Sequence, residues 1–557
     1  MSKINQLVKN PKSLSLLTTI KVLLISLLVV IPNILNHTYS HLAAELVEIA
    51  IIILITQLPI KFFKYPAYLL SSLLFLIIVA QEWVRLLSGT FTTKTMFENI
   101  NNIHALGPSL PKYVVLTVVA ILLTFLPMRF GLLKHHRLFT AGSIVGVLVA
   151  LTAIVMFKPN TAIKASYALM QDYQKDYAIE HAMKSENHTK ILKAFENKNI
   201  KSGINKKNLD NMNVIVIFAE GTSRKVLEDD KYPDLMPAIN QFASESIDVR
   251  NYYNHTAPTY RGIRGQLYSS YQFNEGYEGA TTAKQMKQRL NTKLIGLPEI
   301  LNKNGYTTEM INPEPKHKQF TPYLNNLGFD KVISGDSSQW EGSGSGTFLS
   351  DKDNLNLLFN QANSLNQKDK KFMLSTYTLQ THNGWDTDSQ YGDGKNAVLN
   401  KFHNFDEAFS AFYKKFENSD LKDNTILILT TDHASYASPE YASTFDDKRT
   451  AFASTVPLMI KYPNSKHQEI DVKGRNSLLL TPTILDMLNI EDEKNYFMGT
   501  SLFTNDATKY EYTTEIGSEF YDTTGILKAL PASKKSIKSE ILKYDSISLN
   551  MTNVEGE

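Results

Sequence analysis

A chain of 557 residues holds material for three or more domains, and a net charge of only +3 leaves no basic patch with interleaved aromatics of the kind that binds nucleic acid. The absence of cysteine excludes a disulfide framework and a thiolate metal site, and suits an exported bacterial protein. The averages conceal two unlike halves: residues 1–157 are apolar and nearly free of acids, whereas residues 160–557 are polar and rich in Asn, Lys, Asp, Ser and Tyr.

The first half predicts a transmembrane domain, 1–157, of five spans at Leu14–Leu35, Ala43–Ile60, Ala67–Leu87, Lys112–Met128 and Thr140–Phe157. Each is near the roughly 20 residues that cross a hydrocarbon core. The first span is long, lacks a small-residue cleavage site and is followed by others, so it is not a cleaved signal. Lys3, Lys9, Lys12, Lys61, Lys64, Arg129, Lys134 and Arg137 gather on alternate loops. That asymmetry puts the N-terminus inside and everything after Phe157 outside, on the extracellular or periplasmic side of the cell membrane. Glu45 and Glu48, then Glu82 and Arg85, sit at i, i+3 near outer span ends, where solvation or helix–helix pairing accounts for them before function does.

Residues 158–210 predict a juxtamembrane helical linker, with Ile163, Tyr167, Met170, Tyr173, Tyr177, Ile191 and Phe195 in a loose helical pattern, lying on or just above the membrane. From 211 to 505 strands (213–219, 306–311, 372–379, 425–431, 456–461) alternate with helices (235–246, 294–304, 352–365, 396–418, 477–489). Such alternation predicts an α/β domain with a mainly parallel sheet and helices on both faces. Residues 506–557 read as a C-terminal extension of it. The run Glu341-Gly-Ser-Gly-Ser-Gly-Thr is a flexible loop, since no Gly-Lys-Ser/Thr follows to make a P-loop.

Three apolar strands end in chemistry. Asn213-Val-Ile-Val-Ile-Phe-Ala runs into Glu220, Phe372-Met-Leu-Ser-Thr-Tyr-Thr-Leu toward His382, and Thr425-Ile-Leu-Ile-Leu-Thr-Thr into Asp432-His433. Ligands of open α/β sheets bind at the carboxyl ends of strands. An isolated Asp-His is more simply a helix cap beside a loop histidine. The matching strand before Glu220 shifts the balance toward a metal site, and carboxylate with imidazole suits Zn²⁺ or Mn²⁺. The loop Asn254-His-Thr-Ala-Pro-Thr-Tyr-Arg-Gly-Ile-Arg-Gly265 adds hydroxyls that can attack phosphorus when a metal lowers their pKa, and arginines that can offset phosphate charge. A turn before a helix, with both arginines solvated, is the plain alternative.

Glu220, Thr259 and Asp432-His433, in this order and after these strands, resemble the sulfatase/alkaline-phosphatase superfamily. Within it they look like the lipoteichoic acid synthase and phosphoglycerol transferase branch, with its five spans, helical linker and extracellular catalytic domain. Phe-Ala-Glu220-Gly-Thr matches the branch's first metal ligand, Thr259-Tyr-Arg-Gly-Ile its nucleophile, Thr-Thr-Asp432-His433 its last two ligands and Gln-Thr-His382-Asn its substrate-phosphate histidine. Gly-Arg-Asn-Ser-Leu-Leu-Leu-Thr-Pro-Thr-Ile-Leu-Asp486 and Gly499-Thr-Ser-Leu-Phe503 match its terminal signature, read as a buried helix and the start of a strand.

The resemblance implies a sulfatase-like fold with Glu220, Thr259, Asp432 and His433 as metal ligands. Mn²⁺ is the first choice, with Zn²⁺ and Mg²⁺ as alternatives. Thr259 and His382 are then catalytic, and Arg261, His317 and Trp340 contact substrate. The implied reaction moves glycerol phosphate from phosphatidylglycerol, through a phosphoryl-threonine, to a cell-envelope glycan or glycolipid. A phosphoethanolamine transferase and a phosphodiesterase that uses water are the alternatives. The chain departs from the branch where a His and a Trp-x-Arg set would hold the headgroup: only His317 falls there, with Phe320 and no arginine nearby. It also has Ala434-Ser-Tyr436 where another histidine would follow Asp-His. Many phosphoethanolamine transferases use disulfides, impossible here, which favours the phosphoglycerol branch. The sulfatase pattern nucleophile-x-Pro-x-Arg would begin at Thr256, but its arginine falls one residue late at Arg261, and Thr259 is preferred.

Overall fold

The computed structural model describes residues 11–35, 39–57, 64–88, isolated positions between 91 and 124, 161–196 and 209–550, apart from 186, 273–279, 281, 315–319, 336–347, 383–386, 448, 450, 491–493 and 518. The chain divides into two compact units, Met1–Lys175 and Asp176–Glu557.

In the first unit, α1 (Pro11–Leu35), α2 (Tyr39–Gln57) and α3 (Lys64–Ser88) coincide with the first three expected spans. Among the described residues, two helices, Leu16–Ile34 and Tyr68–Leu86, are long and apolar enough to cross a membrane. The fourth expected span is described only at isolated positions, and the fifth lies outside the described residues. The helices pack through Ile25, Val29, Ile49, Ile52, Phe75 and Ile78, all at most 3% exposed. Leu16, Leu23, Leu27 and Ile34 of α1 are instead 49–62% exposed, an outward apolar face that water would penalise and lipid would not. The charged groups turn inward. Arg85 lies 3.4 Å from Glu45 and 3.5 Å from Glu82, and its Nη2 donates to Asn33 Oδ1 at 3.0 Å. Asn33 Nδ2 donates to Glu45 Oε2 at 2.5 Å, and Thr161 Oγ1 donates to Glu48 Oε1 at 2.6 Å. Helix–helix pairing, not solvation, is what these ionisable residues do. Two further helices follow, α4 (Ala162–Ser185) and α5 (His188–Phe195).

The second unit is built on an eight-stranded sheet of order β4-β3-β5-β1-β6-β7-β2-β8. Its strands are β1 (Asn213–Phe218), β2 (Ile247–Arg250), β3 (Thr307–Ile311), β4 (Lys331–Ile333), β5 (Phe372–Tyr377), β6 (Thr425–Thr430), β7 (Met459–Lys461) and β8 (Gln468–Asp471). Pairing from β4 across to β6 is parallel throughout; β7 is antiparallel to both β6 and β2. All six residues of β1, β5 and β6 are buried, the signature of a sheet covered on both faces. One face packs on α6 (Pro237–Ser244), α8 (Asp351–Gln367) and α9 (Ala397–Glu417), the other on α7 (Thr259–Tyr268), α11 (Leu480–Met487) and α12 (Lys535–Ser548), with α10 (Pro439–Phe445) on the first face. Each buried Val, Leu, Ile or Phe of these faces contributes about 1.5–3 kcal/mol. The mainly parallel sheet and the expected strands are present to within a few residues. The expectation missed β2, β4 and β8, which are short, and a three-stranded antiparallel sheet of β9 (Thr513–Ile516), β10 (Glu519–Asp522) and β11 (Lys528–Ala529). Gly499–Phe503 forms a turn rather than the start of a strand, because Arg475 Nη2 takes the carbonyls of Thr500 and Ser501.

Candidate active site

β1 and β6 are adjacent and in register, so the residues that follow them emerge side by side. Reciprocal hydrogen bonds lock the two exits together: Ser223 N donates to Ser435 Oγ at 2.9 Å and Ser435 N to Ser223 Oγ at 2.8 Å. Gly221, at φ +52°, turns so that its N–H donates to Asp432 Oδ1 at 2.9 Å. The exit of β5 braces the same turn. Thr378 Oγ1 accepts from Glu220 N at 2.9 Å, and Thr381 Oγ1 donates to Glu220 O at 2.7 Å. These hydroxyls were missed at the level of sequence; their signal is that each stands within four residues of a strand's carboxyl end.

The segment read as a loop becomes a helix at the residue that matters. Thr259 is the first residue of α7, after Pro258, and is half-buried. The helix comes so close that a Cβ on Gly262 would stand 2.1 Å from the Asp432 carbonyl oxygen, which only glycine permits. Gln266 Nε2 adds a donation to Thr431 O at 2.8 Å.

Four donor groups thereby meet. Thr259 Oγ donates to Glu220 Oε2 at 2.9 Å and lies 3.4 Å from His433 Nε2. His433 Nε2 lies 3.4 Å from Glu220 Oε1 and 3.3 Å from Asp432 Oδ2. Glu220, Asp432 and His433 are at most 6% exposed. Burial first, and then the neighbouring Asp432 charge, hold the Glu220 carboxyl well above the usual carboxylate range. Asp432 Oδ2 is buried with no hydrogen-bond partner. Two carboxylates and an imidazole driven together and incompletely hydrogen-bonded call for a cation. Donors around a tetrahedral ion with bonds of about 2.1 Å stand about 3.4 Å apart, close to the separations found, so the residues present fit a divalent metal.

The other expected residues are placed differently. His382 is exposed just beyond β5. Its backbone N–H donates to Leu379 O at 2.9 Å, closing a turn that carries the histidine off the strand axis, outside the group of four donors. Arg261 and Arg264 are 0% and 1% exposed, so neither is solvated. Arg261, expected to contact substrate, stands in the interior of the unit. His317 and Trp340 lie outside the described residues. Thr256 is 1% exposed and its Oγ1 reaches only Ala257 O at 3.4 Å, whereas Thr259 joins the donor group.

A hydroxyl at a helix N-terminus, set against a buried carboxylate–imidazole cluster at the carboxyl ends of a parallel sheet, defines an α/β metal-site domain of the alkaline-phosphatase type. The sulfatase family profile matches residues 212–490, half of the chain, and the chain belongs to the sulfatase family. Over 233 residues it is 26% identical to lipoteichoic acid synthase 1 of Bacillus subtilis (38% of this chain, 35% of the relative). Over 242 residues it is 24% identical to phosphoglycerol transferase I of Xanthomonas euvesicatoria pv. vesicatoria (40% of this chain, 33% of the relative). The match thus spans about a third of the length of these curated relatives. The fold is shared with the lipoteichoic acid synthase LtaP from Listeria monocytogenes, at TM-score 0.52, 17% identity, 65% of this chain and 97% of that one. It is shared equally with an alkaline phosphatase superfamily protein from Vibrio parahaemolyticus, at TM-score 0.52, 16% identity, 67% of this chain and 94% of that one.

Proposed function

We propose that this chain is a membrane-anchored, metal-dependent transferase that moves a phospholipid headgroup, glycerol phosphate from phosphatidylglycerol, by way of Thr259 to a cell-envelope glycan or glycolipid. The observation that carries the reading is the seat of Thr259 Oγ, 2.9 Å from Glu220 and 3.4 Å from His433 at the first residue of a ten-residue helix. A helix N-terminus favours an arriving phosphate anion through its free N–H groups and dipole. The relatives named for lipoteichoic acid synthesis and phosphoglycerol transfer support the choice of donor.

Glu220, Thr259, Asp432 and His433 would hold the metal, Mn²⁺ for preference, and when bound it lowers the pKa of the threonine hydroxyl and draws charge from a phosphoryl oxygen. Glu220 Oε2 fixes the Thr259 hydroxyl by accepting its hydrogen bond, which leaves an oxygen lone pair free to attack. Attack by Oγ forms a new P–O bond as its proton passes to Glu220 Oε2, and it breaks the bond to diacylglycerol, whose oxygen takes a proton from His382. An acceptor hydroxyl then attacks phosphorus, giving its proton to His382, and the P–O bond to Thr259 breaks as Thr259 Oγ takes back the proton held by Glu220. In this reading the chain crosses the membrane five times with its N-terminus inside. Tyr167, Met170, Tyr173 and Tyr177 of α4, each 43–71% exposed, suit a helix lying at the headgroup layer.

The test is incubation of the purified full chain with Mn²⁺ and vesicles of headgroup-labelled phosphatidylglycerol, read by mass spectrometry. Free diacylglycerol together with a glycerol-phosphate adduct on the Thr259 peptide is the expected result. Release from phosphatidylethanolamine alone would move the donor to ethanolamine phosphate. Release of free headgroup to water, with no transfer to any hydroxyl acceptor, would make the protein a phosphodiesterase.

A further inference from the structure

The helix that carries Thr259 is held from behind by a segment that lies beyond the family match. Arg264 of α7 donates through Nη2 to the carbonyl of Ser548, the last residue of α12, at 2.7 Å. One turn earlier on α12, Asp545 is 0% exposed, and neither of its carboxylate oxygens has a hydrogen-bond partner in the protein. Arg264 Nη1 is likewise buried without one. Burial first, and then the Glu515 charge on β9, hold the Asp545 carboxyl well above the usual carboxylate range, while Arg261 and Arg264 of α7 act the other way. Among the described residues, Asp545 forms no ion pair or hydrogen bond with either arginine.

A buried carboxyl group left without hydrogen bonds is costly. Arg264 Nη1 offers an unpartnered donor and the Asp545 carboxyl two unpartnered oxygens. A small molecule that both donates and accepts serves the two together, and buried waters characteristically bridge groups of this kind. On the other flank, His255 presses on α7 so closely that a Cβ on Gly265 would stand 1.9 Å from its Nε2, while its Nδ1 is held by Ser477 Oγ at 2.6 Å. On that flank the helix is fixed by direct packing; toward α12, among the described residues, it has the hydrogen bond from Arg264 to Ser548 O, beside the unpartnered Asp545.

We propose that bound water joins Asp545 to Arg264, and that this hydrated joint between α12 and α7 makes Asp545 a positioning residue that holds Thr259 against Glu220 and His433. The positioning half rests on Thr259 as the nucleophile; the hydration half does not. α12 also stacks Tyr544 edge-on against Phe195 of α5, with ring centroids 5.0 Å apart, so the joint ties the connector end of this unit to the nucleophile helix.

Two measurements on the full chain test it. A high-resolution density map of the detergent-purified protein should show water within hydrogen-bond reach of both Asp545 and Arg264 Nη1. A direct Asp545–Arg264 contact, or density for an ion between them, would overturn the hydrated joint. In headgroup release from phosphatidylglycerol vesicles, Asp545→Leu should lower kcat about a hundredfold and Asp545→Asn about tenfold, in line with the cost of a misplaced reacting group. KM and Mn²⁺ affinity should stay within about twofold of wild type, because substrate and metal groups are untouched. Should Asp545→Leu fail to fold, Asp545→Asn carries the kinetic arm. A kcat for Asp545→Asn equal to wild type, with only the melting temperature lowered, would reduce Asp545 to a structural role and overturn the positioning claim. If wild type itself transferred no headgroup, the functional reading would fail while the map would still decide the joint.

Discussion

The two units bury charge for opposite ends. In the helical unit Glu45, Glu82, Asn33 and Arg85 are joined by hydrogen bonds and ion pairs among themselves, while apolar side chains of α1 face outward. In the sheet-bearing unit Val, Ile and Leu fill the sheet, and Glu220 and Asp432 are pressed together with like charge. Where buried carboxylates are joined to a cation, as Glu45 and Glu82 are to Arg85, the gain is packing and orientation. Where buried like charges remain together, the fold stores a demand for a cation, and perturbed groups of this kind mark functional sites.

The sharpest test of that contrast is Thr259→Ala. It should lower headgroup release at least about a thousandfold, as loss of a nucleophile does, with vesicle binding and Mn²⁺ binding preserved. Near-normal transfer would rule the mechanism out and return attention to Thr256. Asp432→Asn should abolish Mn²⁺ binding in a titration while leaving the metal-free protein as stable as wild type or more so, because a like-charge contact is relieved. A metal-free variant that melted well below wild type would break the comparison.

Gly262→Ala separates placement from chemistry. The new Cβ meets the Asp432 carbonyl oxygen, so α7 must shift, and kcat should fall about a hundredfold with all four donor side chains retained. His382→Ala should slow turnover about tenfold to a hundredfold and leave the Mn²⁺ dissociation constant unchanged.

In the helical unit the sign reverses. Arg85→Leu leaves Glu45 and Glu82 buried without their cation and should destabilise that unit by about 3–5 kcal/mol, read as a lower melting temperature in detergent. Activity per folded molecule, measured on the chemistry of the sheet-bearing unit, should change much less. The smallest effect is a pH dependence far from either site. Asp406 caps α6 by accepting from Ala238 N and Ile239 N, yet burial, outweighing those bonds, raises its carboxyl to about 6. A raised folded pKa means that its contribution is fully present below the unfolded value near 4 and is lost as pH rises through about 6. Asp406→Asn should therefore flatten the stability profile of the sheet-bearing unit between those limits, and a profile identical to wild type would show that Asp406 titrates as in the unfolded chain.

Much of this molecule was legible from one sequence. β1, β5 and β6 announce themselves as unbroken apolar runs because a central parallel strand is buried on both faces, and Glu220 and Asp432-His433 were readable because they follow those runs directly. Thr259 was legible only through its resemblance motif, since a lone threonine after a proline has no pattern of its own. Short β2, β4 and β8 were missed because three or four residues give no periodicity, and β9–β11 because a small antiparallel sheet built of polar residues looks like loop.

The sequence by itself determined which residues end the core strands, since local hydrophobic runs and the residues that follow them are fixed by covalent order. Only the tertiary structure decided what those residues do together. It made β1 and β6 neighbours although 211 positions separate Gly221 from Asp432, brought α7 down onto the Asp432 backbone through Gly262, and turned Arg261 and Arg264 inward. Helical phase sets that last outcome: an arginine two or five residues after Thr259 lies on another side of the same helix, and which side faces the cleft depends on what packs against it.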